Sequence, residues 1–177
     1  MVKRTSILAL EIVGTIFIVF LGSALHFTYA WSGSNPLVGA FSAVNESVWE
    51  HLKLAFWPAL FWMLIAMFPL RGVVRNFFSA KAVGAYIMVI LIPAVFYSYT
   101  AFTGKSIFAV DITTFIVAVI IGQSVSYKLL EHGESSKSAQ GVAIAAMVLL
   151  AIVFIVFTFY PPQLPIFRDP NTAQYGI

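Results

Sequence analysis

The stretch "NESVWEHLKLAFWPALFWMLIAMFPL", Asn45–Leu70, decides the fold. Its charged residues, Glu46, Glu50 and Lys53, stand at its start together with His51. From Leu54 to Leu70 every side chain is apolar. Val48–Leu70 exceeds the roughly 20 helical residues needed to cross a hydrocarbon core. The stretch therefore reads as a transmembrane helix with polar groups gathered at one mouth.

The rest of the chain agrees. Of its 177 residues 60% are hydrophobic and 10% charged, where a soluble domain has about 25% charged residues. Such a chain lacks the polar side chains to cover a globule, and its mean hydropathy of +0.94 points to a polytopic membrane protein. Five segments are long enough to span: about 6–29, 48–70, 80–102, 107–130 and 142–160. The fold class expected is an all-α membrane helix bundle, one domain over residues 1–177, embedded in a cell membrane. The first segment follows Lys3 and Arg4 as a signal peptide would, but it is too long and Glu11 interrupts it, so a retained helix is expected. The absence of cysteine excludes disulfides, thiolate metal sites and iron–sulfur clusters. No basic cluster interleaved with aromatics suggests nucleic acid.

Orientation follows from the Lys and Arg residues near the helix ends. One side gathers Lys3, Arg4, Arg71, Arg75, Lys81, Lys128 and Lys137; the other has Lys53, Lys105 and Arg168. Seven against three puts the N-terminus in the cytoplasm and the C-terminus outside. The tail, 161–177, is then extracytoplasmic. The prolines of "YPPQLPIFRDPNTAQYGI" enforce extended or turn geometry after the last helix, and the apolar content suggests a segment lying over the helix ends.

Helical phase, at 100° per residue, shows which faces are buried. In the first segment Glu11, Gly14, Thr15, Gly22, His26 and Tyr29 share one face, which is small and polar and suited to close helix packing. In the fourth, Asp111, Thr114, Ala118, Gly122 and Ser126 form a small-residue ridge. The third carries Tyr86, Pro93, Tyr97 and Thr100 on one face, and Pro58 in the second releases the carbonyl of Leu54. The fifth is nearly all apolar and is expected at the periphery.

Several polar groups thus converge near the outer leaflet: His26, Tyr29, Asn45, Glu46, Glu50, His51, Tyr97 and Asp111. These are the candidate ligand-binding residues, and His26, Glu46, Glu50 and Asp111 are the candidate ligands of a divalent cation. A buried carboxylate such as Asp111 needs a partner or a proton. Simpler roles compete. Ser47 and Glu50 fit a capping box, and Asn45 is a second possible N-cap. His51 is adjacent to Glu50 and points about 100° away from it, which suits a residue at the interface. Glu11, near Lys3 and Arg4, is expected to snorkel to the interface. No HExxH, HxxxH, CxxC or Gly-rich phosphate loop is present, so no motif names a chemistry.

The blocks "VNESVWEHLK" and "IIGQSVSYKLL" and the ending "FYPPQLPIFRDP…YGI" resemble an uncharacterised family of small prokaryotic integral membrane proteins. The resemblance implies a prokaryotic membrane protein and carries no activity. Three functions fit the residues. The first is a binding or transport protein with an outward acidic/His pocket for a cation or small polar ligand. The second is a membrane-embedded hydrolase or transferase, with or without a metal, acting on a lipid or isoprenoid headgroup. The third is an accessory subunit that docks on partner helices. A homo-oligomer or a membrane partner is compatible with each.

Overall fold

The computed structural model of the protein describes residues 4–70 and 73–177. Lys3 and Arg71, used for the orientation, lie outside the described residues. Among the described residues six helices follow in order: α1 (Arg4–Trp31), the single turn α2 (Pro36–Gly39), α3 (Val48–Leu70), α4 (Phe77–Thr103), α5 (Phe108–His132) and α6 (Lys137–Phe159). A 3-10 turn, Pro165–Phe167, lies in the tail. Among the described residues all but α2 of these six are long and apolar enough to cross a membrane, and no strand forms. The architecture is that of a polytopic helix bundle.

Small residues set how closely the helices approach. A Cβ on Gly84 of α4 would come within 2.7 Å of the Gly122 carbonyl oxygen of α5, and one on Gly122 within 2.6 Å of Gly84's. The ridge read from the sequence is this contact: Ala118, Gly122 and Ser126 are buried in it, and α4–α5 is the most extensive helix pair. Between α1 and α3 the same device works on a released carbonyl. Pro58 sits inside α3 and deprives Leu54 of its helical donor, and a Cβ on Gly22 would collide with that oxygen. The buried face of α1 includes Glu11, Gly14, Ile18 and Gly22. Helix α6 packs on α4 and α3 at the edge of the bundle.

Two lysines that the sequence places among the loop charges are buried inside helices. Lys81 of α4 pairs with Glu11 of α1, their side chains 3% and 4% exposed. Glu11 therefore does not snorkel to the interface, because an internal cation meets it within the bundle. Lys53 of α3 pairs with Glu50 on the same helix, the two 0% and 2% exposed. Removing Lys81 from one side and Lys53 from the other leaves six against two, so the charge bias keeps its sign.

The C-terminal halves of α1, α4 and α6 and the starts of α3 and α5 share one end of the bundle, which we call the histidine end. The tail folds over it. Phe167 is buried against Trp49 and Phe157, with ring centroids 4.8 and 5.4 Å away. The Ile177 amide donates to the Thr158 carbonyl at 3.1 Å.

Candidate metal centre

The site is built from α1, the start of α3, and the loop between α2 and α3. His26 lies on the last turns of α1. Its neighbour Thr28 bonds Ser42 at 2.8 Å, and the Tyr29 amide donates to the Ser42 hydroxyl at 3.0 Å. These bonds hold the loop against α1. The loop ends in an Asn45 turn, where Asn45 Oδ1 accepts the Ser47 amide at 2.9 Å. Ser47 Oγ in turn accepts the Glu50 amide at 3.3 Å, capping α3 in the usual N-cap geometry. Glu46 is presented from that turn, and His51 from the first turn of α3.

Three donor atoms meet there. His26 Nε2 and His51 Nε2 are 3.3 Å apart, His51 Nε2 and Glu46 Oε2 3.5 Å, and His26 Nε2 and Glu46 Oε2 3.8 Å. A cation bound tetrahedrally at about 2.1 Å spaces its donors about 3.4 Å apart, so the triangle has the dimensions of a coordination face. Among the described residues these are the ones whose ligand atoms gather tightly enough to hold a metal ion. His51 Nδ1 lies 2.8 Å from the Ser47 carbonyl oxygen. That oxygen can only accept, so the Nδ1 proton is placed there and Nε2 keeps a lone pair towards the cluster. Such an outer bond is how proteins orient a ligating imidazole.

The charge pattern follows. The contact with the His26 ring, opposed by burial and aided by either imidazole when it carries a second proton, holds the Glu46 carboxyl below its ordinary range. His26 Nδ1 is buried without a hydrogen-bond partner. With the His26 proton on Nε2, the two rings share a hydrogen bond. With it on Nδ1, two imidazole lone pairs and a carboxylate face one point, an arrangement that could hold a cation.

Other sequence candidates go elsewhere. Glu50 Oε2 accepts the Val44 amide at 3.1 Å and its Oε1 accepts the Thr158 hydroxyl at 3.3 Å, beside the Lys53 pair. Lys53 also donates to the Gly39 carbonyl at 2.7 Å and to Thr158 at 2.8 Å. Glu50 is thus an internal anchor for the loop. Asp111 accepts the Tyr99 hydroxyl at 2.5 Å, and Tyr99 accepts the Ile107 amide at 3.0 Å, closing the α4–α5 turn. Tyr97 is 42% exposed and packs on Phe96. The Tyr29 ring lies against Gly39. Asn45 Nδ2 donates to the Gly176 carbonyl of the tail at 3.1 Å.

Residues 2–177 match a family of unknown function, DUF6512. The chain belongs to DUF6512. No curated protein and no solved structure matches it. The membership agrees with the resemblance to an uncharacterised family.

From sequence alone, His51 of this DUF6512 chain falls among the pocket residues but not among the metal ligands, and Tyr99 goes unnoticed. A signal for the latter exists, since Tyr99 and Asp111 stand at similar distances on either side of the Gly104 turn in an antiparallel pair. Nothing local marks Thr158 as the partner of Lys53, because 105 residues separate them.

Proposed function

We propose that this protein is an integral membrane metal-binding protein that takes a divalent cation at His26, Glu46 and His51, on the outer face of the cell membrane. The triangle of donor atoms spaced 3.3, 3.5 and 3.8 Å carries the reading. Two imidazoles and a carboxylate suit zinc or a neighbouring transition metal and not magnesium or calcium, which prefer all-oxygen shells. Three protein ligands leave a fourth position. The side chains of His26, His51 and Glu46 are 31%, 33% and 47% exposed, so that position is reachable by water or a small polar ligand.

The same openness favours a second reading. A three-ligand zinc lowers the pKa of bound water and makes it a nucleophile. At the mouth of a membrane bundle its substrate would be a lipid headgroup. Binding is the reading the geometry supports first, since among the described residues no separate general acid or base gathers with the cluster.

Titration of the detergent-purified protein with zinc, and with cobalt as an absorbing substitute, tests the proposal. We expect His26→Ala, His51→Ala and Glu46→Gln each to lower affinity by more than about tenfold. Asp111→Asn should bind as wild type does. Affinity should fall on acidification, because ligating imidazoles must be deprotonated. Wild-type protein without zinc-dependent heat or a cobalt absorption band would overturn the reading.

A further inference from the structure

Glu46 differs from the two histidines in having no long helix beneath it. Its loop is fixed by bonds that lead into the tail. Asn45, its immediate neighbour, accepts from Ser47 through Oδ1 and donates through Nδ2 to Gly176 at 3.1 Å. One residue further back, Val44 donates to Glu50, and Glu50 is hydrogen bonded to Thr158. The Thr158 carbonyl receives the Ile177 amide. Gly176 sits at a φ of +62°, and a Cβ there would lie 2.6 Å from that same carbonyl, so the tail's approach is specific to glycine. Phe167, wedged between Trp49 and Phe157, anchors the segment further upstream.

We infer that Asn45 and the tail around Gly176 are positioning residues for the Glu46 ligand, so that residues 161–177 strap the Glu46 turn of the metal centre in place. The inference rests on the metal-binding reading. Among the described residues no hydrogen bond or ion pair joins the tail to a donor atom of the cluster. It acts by holding the Asn45 turn, and hence the Glu46 carboxylate, at coordination distance from two imidazoles already fixed on helices. Groups that support a ligand in this way change metal affinity about 10- to 100-fold when removed.

The test uses the full chain. Asn45→Ser replaces the amide oxygen by a hydroxyl able to accept the Ser47 amide but is too short to reach Gly176, and Gly176→Val displaces the tail from its other side. Zinc affinity, cobalt spectrum and melting temperature are measured for each. A nitroxide attached at Glu46→Cys, in a chain with no other cysteine, reports the mobility of the turn without metal. We expect about a tenfold loss of zinc affinity in each variant, an altered cobalt band, a melting temperature within a few degrees of wild type for Asn45→Ser, and a more mobile label. Unchanged affinity and unchanged label mobility in both variants would overturn the strap. Absence of zinc binding by wild type would overturn the metal reading instead, and the label alone would then decide whether the tail orders residue 46. Should Gly176→Val fail to fold, the same two measurements on Asn45→Ser settle the matter.

Discussion

Lys81 of α4 reaches across the bundle to Glu11 of α1, and the two form an ion pair sealed from solvent. Glu11 Oε1 takes the lysine, while Oε2 has no hydrogen-bond partner. Removing one member of such a pair leaves a bare charge in a low-dielectric interior, which costs about 3–5 kcal/mol. Lys81→Met and Glu11→Leu should each lower the thermal midpoint in detergent sharply. The double variant should recover most of the loss, as apolar replacements of whole buried pairs do. Additive losses would show that the two groups act separately.

Gly22 and Gly141 should respond oppositely to an added methyl. At Gly22 the new Cβ would collide with the Leu54 carbonyl oxygen, and neither backbone can yield without parting α1 from α3. Gly22→Ala should cost about 1–3 kcal/mol, the usual range for overpacking. A Cβ on Gly141 would meet nothing within 4 Å beyond its own stretch of helix, so Gly141→Ala should raise helix stability by up to about 1 kcal/mol. Melting temperatures of both variants read the contrast directly.

Acid should act through Glu46. Its carboxyl is held below the ordinary value of 4.5 by the His26 contact. A carboxylate with a depressed folded-state pKa contributes stability that is complete above the unfolded value and lost as pH falls through the folded one. Glu46→Gln should therefore flatten the stability curve below pH 4.5. The group is 47% exposed, so solvent screening limits the effect to well under about 1 kcal/mol. Melting curves of wild type and variant that stay parallel between pH 6 and 3 would remove this assignment.

Orientation is open to chemical labelling, since the chain has no cysteine. Lys105 and Glu134 are exposed at opposite ends of the bundle. The charge bias predicts that a membrane-impermeant maleimide labels Lys105→Cys on intact cells and Glu134→Cys only after permeabilisation. The reverse pattern would turn the histidine end towards the cytoplasm.

Length and hydropathy are enough to read the five spans, because each helix is apolar over most of its circumference. Helical phase also locates the Gly122 and Gly22 contacts, since small residues recur at the helical period. Pairing is harder to read. Glu50 and His51 are adjacent, and phase alone says only that they diverge. Glu50 turns to Lys53, three residues on along its own helix, which frees the neighbouring face for His51 to meet α1. Lys53 and Lys81 look like loop charges because each lies near a helix end. Their burial depends on Thr158 and Glu11, residues brought close only by tertiary folding.

The two buried ion pairs place different demands on membrane insertion. Lys53 and Glu50 are three residues apart on α3, so that helix can leave the translocon with its charges already matched, long before Thr158 is synthesised. Glu11 and Lys81 are separated by 70 residues and must each enter the bilayer on a different helix. Each stands in the first third of its helix, so its insertion cost, if charged, is below the roughly 2.5–3.5 kcal/mol of a helix centre. If it inserts charged, the Glu11 carboxylate of α1 stays unmatched by Lys81 until α4 is made. Formation of the Glu11–Lys81 pair between α1 and α4 is thus the step that matches these two charges in the bilayer.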